Sequence, residues 1–307
     1  MIIDIHTHTF PDRIAGKALK KLQGNCHTAL FSDGTAAGLR KTEAAAGVDL
    51  AVIQPVATYP EQVVPINNHV LEDFAGQSGK PAERPDGLLS FAAMHPAFDG
   101  WESELERVAA AGIRGIKLHP PYEEVGIDDP RSLRLLKKCR DLGLLVLIHG
   151  GWDIGLPHHD EALPARVRRA LDAVGSVRMI GAHMAGWKCW EEAASLLADT
   201  GIYLDTSFSL GRLSPAADGF PWDESGLQLL SESAFCDLVH CFGADHVLFG
   251  TDSPWADPAE ELRKIRALPL SREDVAMICG ENAGKLLRLE SDAANESCLK
   301  PVEVQYV

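Results

Sequence analysis

The sequence predicts one α/β domain, a single (β/α)8 TIM barrel with extra C-terminal helices, and three observations lead there. Eight short apolar runs, each bounded by glycine or polar residues, recur along the chain at similar spacing, as expected for parallel strands buried on both faces. Amphipathic helical stretches separate them, with no change of composition between the two halves that would mark separate domains. Gly47, Gly112, Gly143, Gly175 and Gly201 fall between helix and strand, where a left-handed helix cap belongs in a repeating α-to-β turn.

In order, the strands begin near Ile2, Leu50, Leu88, Gly115, Leu144, Val177, Ile202 and Val247. The intervening helices are expected at Thr35–Ala46, Ile66–Gln77, Trp101–Ala111, Arg131–Leu142, Pro164–Val174, Trp187–Thr200 and Leu227–Phe242. Trp101–Ala111 shows the pattern well: Leu105, Val108 and Ala109 share one side while Glu102, Glu104, Glu106 and Arg107 lie elsewhere. Ala259–Ala267, Arg272–Cys279 and Asn282–Leu289 read as closing helices, with Asn282 as N-cap of the last. The barrel is expected to span residues 1–289, and 290–307 to form a C-terminal tail. An open doubly wound sheet would carry a glycine-rich phosphate loop after its first strand, whereas this first strand ends in His6-Thr7-His8.

Composition narrows the partners. The 307 residues contain 29 Lys+Arg against 44 Asp+Glu, a formal net charge of −15, and no long basic run offers a face to phosphate. Nucleic acid and anionic membranes are therefore not expected as partners, and a small-molecule substrate is. The most apolar window, Leu142–Ile148, falls far short of the ~20 residues of a membrane helix. The amino terminus lacks the basic and apolar regions of a secretory signal. Seven cysteines without a CxxC pair read as reduced thiols, so a cytoplasmic protein is expected.

Chemistry gathers at the strand ends. His6 and His8 alternate with Thr7, so both imidazoles face one side of the first strand, a spacing able to chelate one divalent cation. His149 ends the run Leu144–Ile148, His183 ends Val177–Ala182, and Asp252 follows Val247–Thr251. Lys117 and His119 share a face in Gly115-Ile116-Lys117-Leu118-His119-Pro120. Taken singly, each reads as an ordinary hydrogen-bonded polar residue. Their recurrence at the same point of the unit is the signal, because catalytic groups of this fold come from the carboxyl ends of different strands. Imidazole and carboxylate donors suit zinc, and also manganese or iron. His95 and Asp205 end the third and seventh strands, the former as support for a ligand, the latter able to orient His183 or Lys117. Trp152, Tyr122, Trp187 and Trp255 follow strands five, four, six and eight and could wall an apolar substrate pocket, to which His119 would also contribute. Arg212 reads as surface charge or as a clamp for an anionic substrate.

The order His6-x-His8, Lys117, His149, His183, Asp252 resembles the amidohydrolase superfamily. The segments IDIHTHTFP, GIKLHPPY, LIHGG, GAHMAGW, YLDTS, FGTDSPW and GENAGKLL resemble its "amidohydrolase 2" branch, which holds aminocarboxymuconate-semialdehyde decarboxylase-like enzymes besides hydrolases. The resemblance runs from Ile2 to Leu289. It implies that His6, His8, His149 and Asp252 are metal ligands. It also implies that His183 is either a catalytic histidine or a ligand of a second ion. Lys117 departs from the decarboxylase pattern; IKLHP is similar to dihydroorotase-like members, where the corresponding lysine is carboxylated and bridges two ions. A free ammonium aimed at a cation would be repelled, so the sequence leaves Lys117 neutral, carboxylated, or turned away toward Asp205 or a substrate carboxylate.

The expected activity is metal-dependent hydrolysis of an amide, lactone or ester of a small molecule, with zinc as the favoured metal, in one or two ions. Asp252 would carry the proton from water to leaving group and His183 would assist. The alternatives are a metal-dependent non-oxidative decarboxylase of an aromatic or unsaturated carboxylic acid, and a non-catalytic metal-binding barrel. The sequence leaves the oligomeric state open, with a homodimer as one candidate, since barrels of this type often pair.

Overall fold

A computed structural model of the chain describes residues 1–74, 87–221 and 223–289; the expected tail, and the end of the helix expected to reach Gln77, lie outside them. Strand β1 (Ile3–Thr7) pairs in parallel with β2 (Leu50–Ile53), and β2 with β3 (Leu88–Ser90). A second parallel set runs in chain order through β4 (Ala92–Ala93), β5 (Gly115–Leu118), β6 (Leu145–Ile148), β7 (Met179–Gly181), β8 (Tyr203–Asp205) and β9 (Val247–Leu248). Only Phe91 separates β3 from β4, and its N–H still donates to Ile53 O at 2.9 Å. The third expected strand is thus one strand that changes partners at Phe91. On the other side Ile5 N donates to Phe249 O (3.0 Å), Asp252 N to His6 O (2.7 Å) and His8 N to Ser253 O (2.6 Å), which joins the last strand to the first. Nine segments make eight staves of a TIM barrel.

Alternation along the strands divides the core. Ile116, Leu118, Val146 and Ile148 face outward and pack with helix residues such as Leu105, Leu135 and Val167. Leu145, Leu147, Ile3, Ile5, Val52 and Leu248 form a second cluster inside the ring, closed by Ala283 and Leu286. Lys117 and His149, of the inward parity, therefore stand one step above this apolar plug.

Helices α2 (Ala36–Ala46), α3 (Val63–Phe74), α4 (Trp101–Ala110), α6 (Pro130–Leu142), α7 (Pro164–Val174) and α10 (Pro258–Ala267) fall close to the expected spans, and a single turn, α5 (Pro120–Glu123), follows β5. Thr35 is the N-cap of α2 rather than its first residue, its hydroxyl accepting from Gly38 N at 2.9 Å. Gly47 and Gly143 cap helices at φ 78° and 69°, the left-handed conformation that glycine adopts without steric cost. Three expectations need correction. A helix α1 (Asp12–Cys26) follows β1, where none was expected. The helices after β7 and β8 start later than expected, as α8 (Trp190–Leu197) and α9 (Glu232–Phe242), because Trp187 is held in a loop and Ser231 supplies the cap, accepting from Ala234 N at 3.2 Å. Asn282 does not cap the last helix but sits inside it, donating to Ala244 O and Val247 O.

Candidate active site

The register of β1 shifts between Asp4 and Thr7. Ile3 and Ile5 face the plug, so strict alternation would send His6 outward; the irregularity instead turns His6 and His8 inward. Asp4 goes the other way. Its carboxylate accepts from Thr251 Oγ1 (2.5 Å), Thr251 N (3.1 Å) and His6 N (3.0 Å), so it braces the seam between first and last strands rather than the site.

Four side chains meet above the plug. His6 Nε2 lies 3.1 Å from His8 Nε2, 3.4 Å from Asp252 Oδ1 and 3.2 Å from Lys117 Nζ, and His8 Nε2 lies 3.0 Å from Asp252 Oδ1. The outer partners fix the tautomers. His8 Nδ1 donates to Gln54 O (2.7 Å), and His6 Nδ1 donates to Asp205 Oδ2 (2.8 Å). Both inner nitrogens are thereby left as lone pairs, aimed at each other and at a carboxylate oxygen. The Lys117 amine relieves His6 Nε2, but the His8 and Asp252 lone pairs still face each other, a repulsive contact that a cation would relieve, and donor separations of 3.0–3.4 Å match the roughly 3.3 Å edge of a tetrahedron with ~2.0 Å bonds. These three residues fit a divalent cation.

A second pair repeats the arrangement. His149 Nε2 donates to Trp152 O (3.0 Å), leaving Nδ1 to face His183 Nε2 at 3.2 Å. Ser207 gives its hydroxyl proton to Asp205 Oδ1, so its oxygen accepts from His183 Nδ1 at 2.9 Å and leaves Nε2 as a lone pair. Asp205 thus reaches both halves: it takes His6 on one oxygen, and the His183 N–H (3.0 Å) with Ser207 on the other. Conserving tautomers through outer partners is how metal-binding imidazoles are held.

Burial sets the electrostatics. Burial first, then Lys117, lowers His6 well below the ordinary histidine value, and burial with the neighbouring His149 brings His183 down to about 3. Burial alone would raise the Asp252 carboxyl, but His6 and His8 beside it outweigh that and hold it well below the usual carboxylate range. Burial also brings the Lys117 amine down to about 8, partly offset by Asp252 and Asp205. Burial therefore favours neutral rings at His6 and His183 beside an ionised Asp252, and weakens the hold of the Lys117 amine on its proton. Asp252 and His183 hold left-handed backbones, φ 64° and 59°, a conformation costing non-glycine residues on the order of 1–3 kcal/mol and found most at functional sites.

Above the floor opens a cavity of about 200 Å³. His119 and Trp152, both expected to meet substrate, line it, as do Tyr122, Trp187 and Trp255. His119 stacks on His149 with ring centroids 4.4 Å apart, and its Nε2 lies 3.4 Å from Asp153 Oδ2. His95 does not line the cavity; its Nδ1 accepts from Ala97 N at 3.1 Å. Arg212 is paired with Glu224 at 2.9 Å and is not a cavity residue. Sequence reasoning missed Gln54, Ser207 and Asp153. Ser207 had a signal, being two residues beyond Asp205, whereas Asp153 is a loop residue with no periodic mark.

A family model described as Amidohydrolase matches residues 3–289. The chain belongs to the amidohydrolase family. It is an enzyme of that superfamily, and its His/Asp groups suit the divalent metal on which such enzymes depend. No curated protein matches the sequence. Among solved structures the family chain is similar to an uncharacterized TIM-barrel protein from Bordetella bronchiseptica (18% identity, TM-score 0.68, covering 94% of this chain and 98% of that one). It is similar also to 5-carboxyvanillate decarboxylase from Sphingomonas paucimobilis (16%, TM-score 0.63, 94% and 99%). A third likeness is to a protein from Acinetobacter baumannii described as a probable 2-pyrone-4,6-dicarboxylic acid hydrolase (14%, TM-score 0.56, 94% and 99%). At these identities the likeness is one of fold. Among the described residues no helix is long and apolar enough to cross a membrane.

Proposed function

We propose that this amidohydrolase is a metal-dependent hydrolase cleaving an amide, lactone or ester bond of a small molecule. The observation that carries the reading is the pair of facing imidazole sets, His6 with His8 and His149 with His183, whose outer nitrogens are all committed, with the buried Lys117 amine 3.2 Å from the first set. His6, His8 and Asp252 would hold one cation; His149 and His183, with Lys117 as its carbamate, would hold a second. A burial-depressed amine is the form that adds carbon dioxide, which favours this state of Lys117. A bound divalent ion lowers the pKa of water from ~15.7 to roughly 7 and polarises a carbonyl oxygen. Imidazole and carboxylate donors favour zinc, with manganese as an alternative.

The chain's own residues then supply proton transfer and orientation. Asp252, ionised and 3.0 Å from His8 Nε2, accepts the proton from the attacking water and returns it to the leaving oxygen or nitrogen. Asp205 and Ser207 fix the rings of His6 and His183, so little reorganisation is needed as charge develops. Trp152 and His119 position the substrate above the floor.

Non-oxidative decarboxylation is the second reading, favoured by the compactness of the His6–His8–Asp252 set, which could hold one ion by itself, and by the fold shared with 5-carboxyvanillate decarboxylase. There the C–C bond to the carboxylate breaks, carbon dioxide leaves with its electron pair left on carbon, and Asp252 would relay to that carbon a proton taken from water, leaving hydroxide. Metal quantitation, intact mass and product analysis on lactone, amide and aromatic-acid panels separate the two. Two ions per chain, a carboxylated Lys117 and a carboxylic acid product are expected. One ion, an unmodified lysine and release of carbon dioxide would overturn the hydrolase reading.

A further inference from the structure

The cavity is polarised from floor to wall. Every histidine, lysine and aspartate lining it belongs to the floor network or to the His119–Asp153 pair stacked against it. The remainder of the lining carries no charged side chain and is mostly apolar, with Phe10 and Leu22 from the segment after β1, Val56 after β2, Ile154 after β6, Phe208 after β8 and Trp255 after β9. Trp187 and Phe208 form one packed cluster with Leu213 and Leu227, against which Trp152, Ile154 and Trp255 also pack. The wall is therefore built by loops that support one another. Of its neutral polar groups, Thr28 pairs with Cys26 Sγ at 3.1 Å and Thr58 with Gln62 Oε1 at 3.1 Å, while Thr9, Tyr122 and the Trp187 indole add neutral donors but no charge. Among the described residues no arginine lines the cavity, and its one lysine, Lys117, is on the floor. An anionic group held at the wall would be desolvated with no counter-charge, an arrangement proteins avoid.

We propose that the substrate is a small acyl compound with one polar reacting end and an uncharged aryl or branched-alkyl group, and that the cavity rejects molecules carrying a second carboxylate at that far end. The inference rests on the metal-dependent reading of the site and names its substrate class. The reacting end meets the floor, where the donors converge, and the apolar group fills the space between Phe10, Val56, Ile154 and Phe208. Selectivity comes from the missing cation rather than from an attractive contact.

The test needs no turnover. Benzohydroxamate and 4-carboxybenzohydroxamate share a metal-binding end and differ only in the far carboxylate. Calorimetric titration of each into the metal-loaded full chain should give at least about tenfold weaker binding for the carboxylated probe. Val56→Arg, which supplies a cation at the wall, should narrow or invert that ratio. Equal affinity, tighter binding of the carboxylated probe, or binding of neither overturns the proposal, as does a ratio that Val56→Arg leaves unchanged while its thermal unfolding stays cooperative. The hydrolase reading stands or falls separately, on products and metal count.

Discussion

His6 gives its Nδ1 proton to Asp205 Oδ2, 2.8 Å away, and in doing so keeps its Nε2 lone pair for the side where His8 and Asp252 converge. One carboxylate on β8 thus decides what a ring on β1 presents to the centre of the barrel. Asp205→Asn places an amide N–H where Oδ2 stood, which disfavours the Nδ1–H tautomer and occupies the inner nitrogen with a proton. Metal affinity should fall roughly 10–100-fold, measured by competition with a chelating dye. Unchanged affinity would show that Asp205 does not set the ring.

Asp252→Asn should keep the fold, because asparagine tolerates the left-handed backbone that Asp252 holds at φ 64°. Turnover should drop by about 10²–10⁴ once normalised to bound metal, the range for loss of a general acid–base group. Near-wild-type turnover at full metal content would assign the proton to another residue.

Ser207→Ala removes the hydroxyl that links Asp205 Oδ1 to His183 Nδ1. His183 retains the Ser207 carbonyl at 3.2 Å, so the tautomer survives while the ring loses its lateral restraint. Stability should fall by about 0.5–1.5 kcal/mol, and kcat should fall with KM little changed. A change confined to KM would mean that the hydroxyl contacts substrate instead.

Much of this arrangement is written in the sequence through alternation. Lys117 and His119 face the cavity because Ile116 and Leu118 face the helices, and His149 follows from Leu145 and Leu147 in the same way. The inward turn of His6 does not follow from Ile3 and Ile5 in that way, because alternation is suspended by the shifted register of β1, a backbone event with no residue signature. Helix α1 was hidden because it buries only Ala15 and Leu19, too little for an apolar stripe to stand out among Lys17, Lys20 and Lys21. The break at Phe91 and the place of Asp153 are decided by packing between distant segments, which no local window contains.

Glu43, on α2, offers the clearest pH test. It is 3% exposed, and neither carboxylate oxygen has a hydrogen-bond partner. Burial, with Asp4 and Asp257 adding like charge, raises its carboxyl to about 10 from an ordinary 4.5. A raised acid is favourable to the fold below its unfolded value: the stability is fully present below pH 4.5 and is lost progressively as pH climbs toward 10. Near pH 8 the folded state must keep bound a proton that the unfolded chain has released, a penalty on the order of a few kcal/mol. Glu43→Gln removes the titration. The variant's thermal midpoint, relative to wild type, should therefore be lowest near pH 4.5 and rise steadily through pH 8. A difference that stays flat across this range would mean that Glu43 is ionised and solvated in the folded protein.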